Sequence, residues 1–317
     1  MRRFTLPAVA VIATLGLTGC GGATNSAGES LEASKCTNPV ASGSVSAKLT
    51  TETAFGEVPD DVKVTPGTTV SRTQATLLNA DAQLDDGQRR AANGDVIGVD
   101  LLVIDPATGK TVMQSESFGS DRAGEALAVY EADENTPVTL GAALRCAAVG
   151  ERYAVAFGAT DAQYVAGNLP VTPGQGVVVI ADVKSIGKLD EQGAARALPN
   201  GFPAVTVDSN GTPGVVIPPN SPPEGIRVAE RYVGNGREVT GDDTLVIQAQ
   251  IVNWDGTVQG DAWSQGPQIF PPVEQNQIEW RKDLNGMREG SLAVVLEPVP
   301  ESESVNIIIV KILTATG

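Results

Sequence analysis

Histidine is absent from this chain, and its absence excludes several kinds of active site. Ser-His-Asp and Cys-His nucleophile systems need an imidazole as general base, and many zinc sites need one as a ligand. The acidic pairs Asp60-Asp61, Asp85-Asp86 and Asp242-Asp243 lack the alternating oxygen spacing of a calcium loop and are typical of solvated turns. We therefore expect neither a bound metal nor histidine-dependent hydrolysis.

Basic residues are also scarce, with 22 Lys and Arg against 38 Asp and Glu and a net charge of −16. A surface this acidic repels nucleic acid and anionic lipid headgroups. We therefore expect no nucleic-acid partner, and charge does not explain any attachment to a membrane.

The N-terminus carries a short apolar run, residues 4–17, which follows Arg2 and Arg3. This run is too short for a stable transmembrane helix and is typical of a secretory signal. The sequence Leu17-Thr18-Gly19-Cys20 resembles the bacterial lipobox. The resemblance implies removal of residues 1–19, lipidation of Cys20 and a tether over residues 20–45 that holds the protein on the outer face of the cell membrane. The alternative is an ordinary signal peptide with an incidental cysteine.

Only Cys36 and Cys146 remain once Cys20 carries a lipid. Two cysteines in an exported chain most simply form one structural disulfide, because the compartment is oxidising. The alternative is a pair of buried, unpaired thiols. The absence of a CxxC spacing argues against a redox role.

Aromatic residues make up only 4% of the chain, whereas Gly and Pro separate short β-branched runs. This pattern indicates a β-rich fold with little helix. The chain is also duplicated: the segment that starts at Gly94-Asp95 is similar to the one at Gly241-Asp242, and both copies end in an apolar strand, at residues 177–183 and 305–313. Duplication at this length predicts two domains, 46–186 and 226–317.

The linker between the copies, 187–225, is rich in proline. Residues 205–212 within it are expected to form a small hairpin, with Asn210-Gly211 as a two-residue type I′ turn.

The second copy resembles the FKBP-type peptidyl-prolyl isomerases along residues 223–313. The matching motifs are Val239-Thr240-Gly241-Asp242-Asp243-Thr244, Asp255-Gly256-Thr257-Val258, Trp263-Ser264-Gln265-Gly266-Pro267, Trp280, Leu284-Asn285-Gly286-Met287-Arg288-Glu289-Gly290-Ser291 and Ile307-Ile308-Ile309-Val310-Lys311-Ile312-Leu313. The first copy resembles the same family more distantly. The arrangement of both copies and the linker is similar to tandem FKBP-like lipoproteins of high-GC Gram-positive bacteria.

The resemblance implies an α+β fold, with two tandem FKBP-like domains that each pack a curved antiparallel sheet on a short helix. It also implies rotation of X-Pro bonds in an apolar aromatic pocket. This reaction breaks no covalent bond and needs no cofactor, because the obstacle is the loss of amide resonance. Desolvation favours the twisted, less polar imide.

The family's pocket positions are only partly kept. Trp280 matches the tryptophan at the pocket floor, Phe270 matches a neighbouring phenylalanine, and Gln277 or Ile278 matches the residue whose backbone receives the substrate carbonyl. In the first copy, Tyr164 lies near the position of the flap tyrosine. Substituted positions are Ala249, Gln259, Gly260, Leu101 and Met113, and the second copy lacks the flap loop.

Two functions remain open. The first is a cell-envelope isomerase or foldase that acts on exported, proline-containing polypeptides in unfolded or extended form. The second is an FKBP-like binding or chaperone module at the cell surface whose isomerase site has decayed. In that case Trp280 and Phe270 are ordinary core aromatics, and Tyr164 is a surface residue.

Overall fold

The computed structural model of the chain describes residues 36, 38–82, 84, 88–120, 124, 126–129, 138–189, 192–209, 211–300, 302 and 304–317. The expected signal segment 1–19, the lipidation site Cys20 and most of the expected tether 20–45 lie outside the described residues. Within the described ranges, no helix is long and apolar enough to cross a membrane.

Residues 74–188 form a six-stranded antiparallel sheet. Its strands are β1 (Gln74–Leu77), β2 (Asp95–Asp105), β3 (Lys110–Gln114), β4 (Ala126–Val129), β5 (Arg152–Phe157) and β6 (Val177–Lys188). The order is β1-β5-β6-β2-β3, and β4 pairs with β2. The helices of this half are α1 (Leu140–Ala143), α2 (Ala159–Ala166) and a 3-10 turn, Ser46–Lys48.

Residues 194–316 form a second, seven-stranded antiparallel sheet. Its strands are β7 (Ala194–Ala195), β10 (Arg227–Val233), β11 (Thr244–Asn253), β12 (Val258–Asp261), β13 (Gln268–Phe270), β14 (Leu292–Pro298) and β15 (Val305–Thr316), while β8 (Ala204–Val207) and β9 (Pro213–Val216) form a separate hairpin. The order is β12-β11-β15-β14-β10-β7, and β13 pairs with β11. The helices are α3 (Ala262–Gln265) and the 3-10 helices Val273–Gln275 and Glu279–Leu284.

The two sheets share one topology. Strands β1, β5, β6, β2, β3 and β4 correspond in order and pairing to β10, β14, β15, β11, β12 and β13. The described residues are therefore mostly antiparallel sheet with few helices, as the sequence predicted at this level. The apolar strands predicted at 177–183 and 305–313 are present but longer, at Val177–Lys188 and Val305–Thr316.

Both faces of the central strands of each sheet are buried. All eleven residues of β2 are buried, although an antiparallel sheet commonly leaves one face in water. We call the face that packs on the helices the front face and the opposite one the back face. In the first half, Leu49, Val62, Val64 and Val70 cover the back face. In the second half, residues of the linker cover the back face, and Val205 of the linker hairpin is only 2% exposed.

A buried ion pair holds the first cover in place. Arg152 of β5 and Asp182 of β6 face each other across the ladder, 1% and 0% exposed, with Nε 2.5 Å from Oδ1. The guanidinium also donates to the carbonyl oxygens of Thr53, Ala54 and Glu57. Every charged group of the pair is thus partnered, which offsets the cost of desolvating it.

The linker hairpin forms, but its turn differs from the expected two-residue type I′ turn. The N–H of Asp208 donates to the carbonyl of Thr212, and the N–H of Gly211 donates to the carbonyl of Asp208. Three residues therefore lie between Asp208 and Thr212, the last hydrogen-bonded pair, where a type I′ turn would have two. Gly211 has the positive φ, 82°, that this longer loop requires. Asn210 lies outside the described residues.

The two sheets lie in one compact unit and contact each other directly. Val96 of β2, Val246 of β11 and Leu313 of β15 form a small buried cluster. The ammonium group of Lys311 donates to the carbonyl of Leu189, just after β6. The two sheets are therefore joined by direct contacts as well as by the linker.

The predicted disulfide between Cys36 and Cys146 is confirmed. It closes a loop with a sequence separation of 110 and attaches the N-terminal segment to the end of helix α1. Such a loop stabilises the fold by roughly 4–5 kcal/mol in the chain-entropy model.

We predict that Arg152→Met lowers the free energy of unfolding by about 3–5 kcal/mol, because it leaves the buried carboxylate of Asp182 without a counter-charge. Urea denaturation of the full chain measures the change. The double variant Arg152→Met/Asp182→Leu should recover most of the loss, since both charges are then removed. A single variant as stable as the wild type would contradict a role of the ion pair in holding the cover.

Candidate functional site

The candidate site of the second half is centred on the 3-10 helix Glu279–Leu284. The side chain of Asn276 accepts a hydrogen bond from the N–H of Ile278 at 2.9 Å, which turns the chain into the helix. Trp280 and Leu284, four positions apart, then both face the core and are 3% and 0% exposed. Ile278, just before the helix, faces outward and is 40% exposed.

The structure brings Trp280 and Phe270 together. Phe270 ends β13, pairs with Leu245 of β11 and lies with its ring centroid 5.4 Å from that of Trp280, at an interplanar angle of 36°. Both belong to the front-face core of the second half, against which Ala249 packs. The indole Nε1 of Trp280 is buried and has no hydrogen-bond partner among the described residues.

A cavity of about 890 Å³ opens beside this core. Gln277, Ile278 and Glu279 form one wall, and Pro298 ends β14. Pro300 lies on the short connection between β14 and β15, which replaces the longer loop and helix α2 of the first half. Trp280 and Phe270 do not line this cavity. The aromatic pair therefore lies next to the opening rather than at its floor.

Tyr164 is not brought to this site. It lies on α2 of the first half and is 62% exposed. The front face of the first half carries Leu101, with Met113 packed against it, where the family resemblance places pocket aromatics. Of the four predicted site residues, the structure thus joins Trp280, Phe270 and Ile278 in one region and leaves Tyr164 in another.

Arg281 is a residue of the site that the sequence did not indicate. It is fully buried, with its guanidinium carbon 5.7 Å from the ring centroid of Phe270. It donates to the carbonyl oxygens of Asp243 and Pro271, at 2.8 and 3.3 Å. Burial lowers the pKa of Arg281, while the nearby Asp243 opposes this change. The Arg281 guanidinium thus packs against Phe270 and helps to hold the aromatic pair in place.

The carboxylate of Asp243 organises the turn before β11. It accepts hydrogen bonds from Arg237 Nη2 at 2.7 Å and from the N–H of Thr240 at 2.6 Å. Burial alone would raise the pKa of Asp243, but these hydrogen bonds outweigh it and hold the pKa below the usual value of an aspartate. The same bond to Asp243 raises the pKa of Arg237.

The described residues offer no group of three or more cysteines or acids placed to hold a metal ion. What the site does offer is an opening at which Ile278 presents an apolar side chain, with a buried aromatic pair behind it. Such a surface can bind and desolvate an apolar segment of a peptide.

No family model matches the chain, and no curated protein sequence matches it. Solved structures that it resembles are FKBP-type peptidyl-prolyl isomerases. The three FKBP domains of wheat FKBP73 match at 16% identity and a TM-score of 0.31, over 77% of this chain and 94% of that one. FkpA from Escherichia coli matches at 19% identity and a TM-score of 0.25, over 37% of this chain and 53% of that one. A putative FKBP12 from Mycobacterium tuberculosis matches at 18% identity and a TM-score of 0.24, over 30% and 86%.

We predict that Asp243 contributes stability that depends on pH. Because its pKa is lower in the folded than in the unfolded state, its contribution is complete above about pH 5 and is lost as the pH falls through the folded value. Asp243→Asn should therefore be less stable at pH 7 and lose less stability on acidification. Urea denaturation at pH 7, 5 and 3 measures this, with the exposed neighbour Asp242→Asn as control. Parallel pH profiles for Asp243→Asn and the wild type would show that the carboxylate plays no such part.

Proposed function

We propose that this protein is an FKBP-type peptidyl-prolyl isomerase or foldase of the cell envelope, acting on exported polypeptides that contain proline. The observation that carries the proposal is the Trp280–Phe270 pair beside an open cavity entered at Ile278. Isomerisation needs a surface that desolvates the imide and needs no titrating side chain, so a site without histidine suffices.

The proposed binding mode places the proline ring of the client against Ile278, which exposes its apolar side chain to the cavity. The indole N–H of Trp280, which has no partner among the described residues, lies behind this wall. A small shift of the helix Glu279–Leu284 would expose the indole to the client, and Arg281 would keep the opposite side of the pair in place.

Lipidation of Cys20 is the second part of the proposal. It would hold the protein on the outer face of the cell membrane, where clients emerge from secretion in extended form. The sequence Leu17-Thr18-Gly19-Cys20 supports it. The acidic net charge of −16 supports the absence of a nucleic-acid partner.

A second function has its own supporting observation. Trp280 is 3% exposed and does not line the cavity, and Ala249 stands where the family resemblance places a tyrosine. These features favour a binding or chaperone module that holds peptides without accelerating rotation.

A prolyl-isomerisation assay on the soluble protein starting at Gly21 separates the two functions. We expect acceleration that Ile278→Ser lowers about tenfold, because a side chain worth roughly 1–1.5 kcal/mol of apolar contact is lost. Val258→Ser is the matched control, since Val258 is also exposed but lies on β12. No acceleration by the folded protein would favour the binding module, and acceleration unaffected by Ile278→Ser would place the site elsewhere.

A further inference from the structure

In the first half, a segment of the same chain lies against the outer side of β1, the edge strand of the sheet. The N–H of Ala75 donates to the carbonyl of Ala41 at 3.2 Å, and the hydroxyls of Ser42 and Thr76 are 2.6 Å apart. The edge of β1 is therefore occupied by a short segment of the same chain.

That segment also contacts the helix that faces the strand edge. Asn38 Nδ2 donates to the carbonyl of Ala143, at the end of α1, at 2.8 Å. The disulfide joins Cys36 to Cys146 just beyond it. Residues 38–42 thus lie in a groove between a helix end and the edge of β1, and the disulfide keeps them there.

The second half contains the same groove. Ala75 pairs with Val155 in the first sheet, as Val228 pairs with Val295 in the second, so Val228 is the counterpart of Ala75. Leu144 and Leu284 are fully buried at equivalent helix ends. Because Leu284 corresponds to Leu144, Asp283 is the counterpart of Ala143, and Gly286 is the counterpart of Cys146.

In the second half this groove is open. Strand β7 pairs with Tyr232 and Val233 of β10, and the next residue, Arg196, donates its N–H to the carbonyl of Arg231. No strand in the described part of the chain pairs with the same edge at residues 227–230. A cavity of about 470 Å³ lies along that edge. Its walls include Val228, Asp283 and Gly286, the counterparts of the residues that hold the segment in the first half.

The open groove is acidic. Asp283 also lines the 890 Å³ cavity, together with Glu279, Glu297 and the cation Lys282. The ion pair at the edge, Arg196 with Glu230 at 3.1 Å, is neutral as a unit. Asp283 therefore leaves the groove itself with a net negative charge, whereas the first-half counterpart of Asp283 is an alanine.

We propose that the groove between β10 and the helix Glu279–Leu284 is a strand-addition site for an extended, positively charged segment of another polypeptide. The N–H of Val228 would donate to the added strand as the N–H of Ala75 donates to Ala41. Backbone pairing would supply affinity without regard to sequence. Asp283 in the groove, with Glu279 and Glu297 in the adjoining 890 Å³ cavity, would select cationic clients. The inference extends the proposed function by naming the client's chemistry, and it rests on that function only in taking the client to be a polypeptide.

The test uses a fluorescein-labelled octapeptide of alternating lysine and valine without proline, and its glutamate–valine counterpart as the control for charge. Fluorescence anisotropy with the soluble protein should show binding of the lysine peptide at least about tenfold tighter than that of the glutamate peptide. Because the probe has no proline, its binding is independent of isomerase activity. If the protein does not accelerate prolyl isomerisation, the anisotropy result is unaffected. If the protein does not bind the lysine peptide, the isomerisation assay is unaffected.

Variants locate the binding. Asp283→Lys should weaken binding of the lysine peptide about tenfold, whereas Glu274→Lys, an equal charge change at an exposed position outside the groove, should leave it within about twofold. Val228→Pro removes the donor N–H at a strand edge, where proline is tolerated, and should weaken binding about three- to tenfold. Should that variant fail to fold, slowed amide exchange at Val228 of the wild type on addition of peptide reports the same contact.

Three results would overturn the proposal. One is equal affinity for the two peptides, and another is equal weakening by Asp283→Lys and Glu274→Lys. The third is a dimer in sedimentation with the Val228 amide protected before any peptide is added, since a second copy would then occupy the edge.

Discussion

Burial of both faces of each sheet is the constraint on which the rest of this structure depends. Strand β2 has no exposed residue, and β6, β14 and β15 are nearly as buried. A sheet buried on both sides needs a second apolar layer, and residues that precede β1 and β10 provide it. Any polar group in that layer must find a partner, because an unpaired buried donor or charge costs more than its apolar neighbours contribute.

The two halves meet this constraint differently. Where the first half places Arg152 opposite Asp182, the second places Leu292 opposite Lys311, and the ammonium group reaches the carbonyl of Leu189 between the sheets. The first cover is held to its own sheet by apolar contacts and by the hydrogen bonds of Arg152. The second is held by apolar contacts of the linker hairpin and by the hydrogen bond from Arg231 Nε to the carbonyl of Val205. The linker is accordingly part of the second core, and Pro-rich composition alone does not make it a hinge.

The sequence predicted the strands that carry β-branched runs, the duplication and the disulfide, because each depends on a local pattern or on cysteine arithmetic. It did not predict the covers, since residues 49–70 lack any periodicity that marks them as core. Arg281 was missed because a charged residue in a polar run indicates an exposed position, and only the fold supplies the carbonyls of Pro271 and Asp243 that allow its burial. Trp280 was identified from the motif, but the motif did not indicate that Trp280 lies outside the cavity wall. The open edge of β10 emerged only from comparison of the two sheets.

Amide hydrogen exchange of the full chain, followed by mass spectrometry, tests most directly whether the covers are part of the cores. If they are, segments 49–64 and 204–217 exchange as slowly as the strands beneath them, because they open only when the sheets unfold. Rapid exchange of either segment over a sheet that remains protected would show that its back face does not need the cover, and would contradict the dependence of the fold on two-sided burial.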